Sequence, residues 1–122
     1  MDDVEIQASR SSDGQKMIVA EEHSDLRIVC ETRAAAAGDD SAGVEWTVNT
    51  FTTLNSGTDR VEMSERSEVV DGQRVTLHTL VIHRASTMDI GTYECRRHSR
   101  SHDDDSPSDR VHVKIVRLAS RL

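Results

Sequence analysis

The chain has 122 residues, close to the commonest size of a single domain, and its 22 acidic against 15 basic side chains leave a formal net charge of −7. That sign excludes nonspecific attraction to nucleic acid or to an anionic membrane surface, both of which need a basic protein. Leu, Ile, Val and Phe make up only 26 of the 122 residues, and Trp46, Phe51 and Tyr93 are the only aromatics, so the core is thin and spare aromatic anchors for an interface are almost missing.

In chain order, a Ser11-Ser12-Asp13-Gly14 turn precedes a first strand over Lys16-Met17-Ile18-Val19. Leu26-Arg27-Ile28-Val29-Cys30 places Leu26, Ile28 and Cys30 on one face of a second strand. Ala34 to Ala37 favours helix by composition, but the segment lies between strands and runs into Gly38-Asp39-Asp40, so it reads as a loop. Val44-Glu45-Trp46-Thr47-Val48 alternates again, and Phe51-Thr52-Thr53-Leu54 offers a short strand after it. Val75 to Ile82 and Val111 to Ile115 complete the alternating segments. His78, His83 and His112 read as solvent-facing positions within or beside these strands. No internal repeat is present.

The most specific element is Asp89-Ile90-Gly91-Thr92-Tyr93-Glu94-Cys95, preceded by the apolar Leu80, Ile82 and Ala85. Together with Cys30 and Trp46 it resembles the immunoglobulin superfamily over roughly Leu26 to Ile115, in which a buried Trp packs against a disulfide between two sheets. The resemblance implies an all-β, two-sheet Greek-key sandwich with one inter-sheet disulfide, Cys30 to Cys95. Leu26–Cys30, Val44–Val48, Val75–Ile82 and Val111–Ile115 then correspond to strands B, C, E and G. It also implies a tyrosine corner at Tyr93, a special backbone conformation at Gly91, and an ion pair between Asp89 and Arg60 at the start of strand D. The single domain spans 1–122, with a core at about 16–117 and flanking segments at 1–15 and 118–122.

The long spacing between the cysteines and the Arg60 to Ser64 stretch are similar to variable-type domains. The 16 positions from Cys30 to Trp46 and the absence of a Gly-x-Gly bulge in strand G depart from antibody chains, so the resemblance is to a variable-like or intermediate type. A paired cysteine count implies an oxidising compartment and thus a secreted protein or an ectodomain; two reduced cysteines, as in muscle-type relatives, are the alternative. No segment approaches the roughly 20 apolar residues of a membrane span, and direct membrane insertion is not expected.

Function in this fold is carried by loops and sheet faces. The segment after strand F places Arg96, Arg97 and Arg100 directly before Asp103, Asp104 and Asp105. It reads either as a solvated hairpin whose charges pair across the turn or as a charged tip that binds a partner. His98 and His102 beside the aspartates lack the fixed ligand geometry of a metal site, and no nucleophile elbow, phosphate loop or paired-carboxylate signature is present. No metal, cofactor or catalytic residue is expected. The expected function is a non-enzymatic extracellular recognition module in an adhesion, receptor or secreted guidance-type protein, binding a protein partner homophilically or heterophilically beside possible neighbouring domains. The alternative is a structural spacer in a tandem array. Neither Asn49-Thr50-Phe51 nor Asn55-Ser56-Gly57 is a glycosylation sequon, so no N-glycan covers a face.

Overall fold

Side-chain alternation at a period of two sorts this chain into strands with one face dry and one wet. The structure, a computed structural model, describes residues 4–35, 43–50, 52–55, 60–97 and 108–117. Its strands are β1 (Val4–Ile6), β2 (Ser9–Arg10), β3 (Lys16–Glu21), β4 (Leu26–Ala35), β5 (Val44–Val48), β6 (Thr52–Thr53), β7 (Val61–Val70), β8 (Gln73–Ile82), β9 (Gly91–Arg97) and β10 (Ser108–Val116). They form a four-stranded sheet in the order β1-β4-β8-β7 and a six-stranded sheet in the order β2-β3-β10-β9-β5-β6. All pairings are antiparallel except that of β3 with β10.

The inner faces meet around a disulfide between Cys30 on β4 and Cys95 on β9, which joins the two sheets covalently. Trp46 lies directly across from Cys95 in the β5–β9 pairing and is buried with Leu26, Ile28, Leu80, Ile82, Tyr93, Val111 and Val113. At one end, a short 3-10 turn at Thr87–Asp89 is capped reciprocally by the side chains of Ser86 and Asp89. The Tyr93 hydroxyl donates to the Asp89 carbonyl at 2.7 Å, and Arg60 donates to the Asp89 carboxylate and to the carbonyls of His83 and Arg84. Burial pushes the Tyr93 phenol up to about 12, so it stays a neutral donor at any physiological pH.

The structure corrects three sequence expectations. Residues 1–15 do not merely flank the core: Val4 and Ile6 lie inside it, because β1 adds to the edge of β4 with Ile6 opposite Cys30. Gly91 does not adopt a positive φ. A side chain there would instead meet the Asn49 amide, with a Cβ only 2.6 Å from its oxygen, while that oxygen accepts from the Thr92 amide. His78 does not face solvent, for it shares the parity of Leu80 and Ile82 and is only 5% exposed, hydrogen-bonded through Nε2 to Thr32 Oγ1 at 3.1 Å.

The strands β3, β4, β8 and β10 run farther than alternation alone places them. β7 and β8 pair over their full length and are joined by Asp71-Gly72, both at positive φ, which is the two-residue turn that matches strand twist. β4 extends with them to Ala35, opposite Gln73, so sheet pairing overrides the helical preference of the alanines.

At the opposite side of the sandwich, Lys16 is 6% exposed at its side chain, and its ammonium donates to the Ile6 carbonyl and to Asp109 Oδ2, which also accepts from the Ile6 amide. This contact holds the point where the chain passes from the four-stranded sheet (β1) to the six-stranded sheet (β2, β3). Asp109→Ala leaves the buried ammonium with only the exposed Glu5 carboxylate, 3.8 Å away, and is expected to cost about 3–5 kcal/mol in chemical denaturation, whereas Lys16→Met combined with Asp109→Ala recovers most of the loss. Tyr93→Phe, which keeps the ring and removes the hydroxyl, is expected to cost about 1–3 kcal/mol in the same assay.

Candidate functional site

The outward face of the six-stranded sheet is set by the register of its central strands. Tyr93, Cys95, Trp46 and Val111 point inward, so Thr92, Glu94 and Arg96 on β9, Glu45 and Thr47 on β5, and Arg110 and His112 on β10 point out. Glu94 sits opposite both Arg110 and Thr47. Its side chain is only 9% exposed although it lies on the outer face, and it pairs with Arg110 at 3.3 Å and Arg96 at 3.6 Å. Beside it, the buried Thr47 Oγ1 has no hydrogen-bond partner among the described residues. Each guanidinium carries five N–H donors, so both arginines retain donors that Glu94 does not use.

The residues expected to form a charged patch are divided by the fold. Arg96 lies on this outer face, whereas Arg97, the next residue, turns the other way and donates to the Arg33 carbonyl of β4 at 3.1 Å, bridging the two sheets. Arg100, Asp103, Asp104 and Asp105 lie outside the described residues, as does Phe51. Glu94 was missed by the sequence reading; its signal was present, since an acidic residue between Tyr93 and Cys95 must face outward on a strand flanked by basic positions.

Two histidines on the four-stranded sheet have opposite surroundings. His83 places Nδ1 3.2 Å from Asp25 Oδ2 and Nε2 3.0 Å from Glu62 Oε1, and these carboxylates raise its pKa above the ordinary value. Burial lowers that of His78, with Arg97 adding to the effect and Glu65, 3.5 Å from Nδ1, opposing it. Among the described residues no group of three or more His, Cys, Asp or Glu side chains could hold a metal ion, and no helix is long and apolar enough to cross a membrane.

The sandwich, its inter-sheet disulfide and the packed tryptophan define a known architecture. The chain has an immunoglobulin-like fold. The immunoglobulin-like arrangement is shared with the BTLA ectodomain at 18% identity and a TM-score of 0.57, over 94% of this chain and 98% of that one. It is shared with the IG1 domain of the ZIG-8 homodimer at 18% identity and a TM-score of 0.54, over 85% and 81%. A chain from a structure on T cell specificity and activation by the bacterial superantigen toxic shock syndrome toxin-1 matches at 14% identity and a TM-score of 0.54, over 93% and 98%. No protein-family model and no curated protein matches the sequence.

The histidine environments fix the signs of a pH response. With its folded pKa raised, His83 contributes stability that is full below its unfolded value of 6.5 and is lost as pH rises through the higher folded value. With its folded pKa lowered, His78 contributes stability that is full above 6.5 and is lost as pH falls toward the folded value. Denaturant melts between about pH 5 and about pH 8 should show His83→Gln losing more stability at the acid end than at the alkaline end, and His78→Gln sparing part of the acid loss. A His83→Gln penalty that grew with pH would contradict this assignment.

Proposed function

We propose that this domain is a non-enzymatic recognition module of an extracellular protein, secreted or an ectodomain, which binds a protein partner through the outer face of its six-stranded sheet. The observation that carries the reading is Glu94, a carboxylate largely withdrawn from water on the side of the sheet that faces solvent. Folding alone gives no reason for it: a buried charge costs several kcal/mol of desolvation, and a Thr or Val at an outward strand position would not incur that cost. What Glu94 does provide is a fixed position for Arg96 and Arg110, whose spare donors suit carboxylates or backbone carbonyls on a partner.

The disulfide supports an oxidising compartment, and the likeness to the BTLA ectodomain and to the ZIG-8 IG1 homodimer supports a protein partner. Arg96, Arg97, Arg100 and the Asp103 to Asp105 run stay within the proposed partner surface, with Arg97 also tied to β4. The spacer reading differs in requiring no partner beyond the neighbouring domains.

The test is a binding screen of the domain, displayed multivalently, against extracellular proteins including itself. Arg96→Gln with Arg110→Gln is expected to slow association several-fold and to flatten its salt dependence. Stability should fall as well, because the substitutions take both arginine counter-charges from the largely buried Glu94, so binding is compared under conditions where both proteins are shown to be folded. A partner bound equally well by this variant would refute the face, and a correctly folded domain that captured nothing would favour the spacer.

A further inference from the structure

The outer face of the four-stranded sheet carries a charge pattern that the monomer pairs only in part. Register places its outward side chains in rows across β4, β8 and β7. Arg27 stands beside Val81 and then Glu62; Glu31 beside Leu77 and then Arg66; Arg33 beside Val75 and then Glu68. Each of these three rows reads charge, apolar residue, opposite charge, and the uncharged row Val29, Thr79, Ser64 lies between the first two. The signs reverse from Arg27 to Glu31 and again at Arg33.

Two strand spacings, about 9–10 Å, separate the charged ends of a row, with an apolar side chain between them, so the ends do not pair with each other. Arg66 and Glu68 make no side-chain hydrogen bond or ion pair with any described residue. Arg33 pairs along its own strand with Glu31, and Glu62 with His83. Leu77, Val75, Glu31, Arg66 and Glu68 border one shallow recess on this face.

We propose that this face is the interface of a symmetric dimer of the chain, formed about a two-fold axis that runs along β8. Such an axis lays β4 of one subunit over β7 of the other without changing the row. Arg27 then meets the partner's Glu62, Glu31 meets the partner's Arg66, and Arg33 meets the partner's Glu68, each contact occurring twice. The apolar stripe of Val75, Leu77 and Val81 packs on its own copy, as two aligned sheets do. An axis across the strands is poorer, because it matches at most two of the three charged rows: through the Thr79 row it leaves Arg33 and Glu68 unmatched, and between the Leu77 and Val75 rows it leaves Arg27 and Glu62 unmatched. Charge complementarity thus selects both the occupant, a second copy, and its orientation.

The three strands cover on the order of 500 Å² per subunit, the size of a weak and transient contact. Sedimentation velocity of the domain from about 10 µM to about 1 mM should show the weight-average coefficient rising with concentration. Two variants test the geometry, and both keep the net charge. Arg66→Glu with Glu68→Arg reverses β7, and Glu31→Arg with Arg33→Glu reverses β4. Each alone should associate at least tenfold more weakly than the wild type, since reversed strands meet like charges. An equimolar mixture should regain association, because each reversed strand then faces its complement. Thr79→Arg, which inserts a charge into the central stripe, should abolish association and serves where a reversal variant does not fold. Wild-type protein that remains monomeric throughout, reversal variants that self-associate as well as wild type, or a mixture that regains nothing would each overturn the proposal.

Discussion

The bond between Cys30 and Cys95 joins the middle of one sheet to the middle of the other, and the sandwich is arranged around that point. A chain with only 26 Leu, Ile, Val and Phe residues has little apolar surface to set against its conformational entropy. Closing a loop with a sequence separation of 65 removes about 4 kcal/mol from that deficit in the chain-entropy account, a large part of the stability of a small domain. Once the sulfurs are placed, the neighbours follow: Trp46 opposite Cys95, Ile6 opposite Cys30, and Tyr93 two residues along the same strand face as Cys95. Polar contacts then fix what the disulfide leaves free. Asp89 holds the turn into β9, and the Lys16–Asp109 contact holds the passage of the first strands between sheets.

Fold class was legible in the sequence because its decisive features are local or covalent. Ser86, Asp89, Gly91, Tyr93 and Cys95 lie within one turn and the strand after it, where motif and geometry coincide. Readings that depended on parity or on distant pairing fared differently. Assigning His78 to solvent conflicted with placing Leu80 and Ile82 in the core, since the three share one parity; the structure puts Thr76, His78, Leu80 and Ile82 inside and leaves Val75, Leu77 and Val81 half-buried outside. In a strand apolar on both sides, alternation alone does not say which side is in. The Asp71-Gly72 turn was a readable hairpin signal, and it implied strands longer than those assigned. Val4 and Ile6 could not be placed from composition, since three residues carry no period and their burial depends on β4 lying beside them.

Strand parity also divides the candidate site. Arg96 and Arg97 look like one basic patch in a linear reading, yet adjacent residues on a strand face opposite ways, and the sheet sends one to the outer face and the other toward β4. Glu94 has the converse history. A lone acidic residue beside Tyr93 and Cys95 is unremarkable by composition, and only the pairing of β9 with β5 and β10 at once shows it enclosed by Thr47, Arg96 and Arg110. Its significance comes from the tension between burial and charge, which no single-strand pattern contains.

Two outer faces with different chemistry give the domain a way to combine weak contacts. The six-stranded sheet presents arginines fixed on a buried carboxylate, while the four-stranded sheet presents matched rows of opposite charge around an apolar stripe. Because these faces lie on opposite sides of the disulfide, occupying one does not cover the other. A pairing of subunits through the four-stranded sheet would turn two copies of the six-stranded face outward in a fixed relation. A partner meeting both copies then binds the second at an effective concentration set by the dimer geometry, and avidity rises without any new contact type. Such an arrangement suits a chain with almost no spare aromatic side chains. Lacking the large anchors that concentrate affinity in one spot, it gains more by repeating a modest contact than by enlarging it.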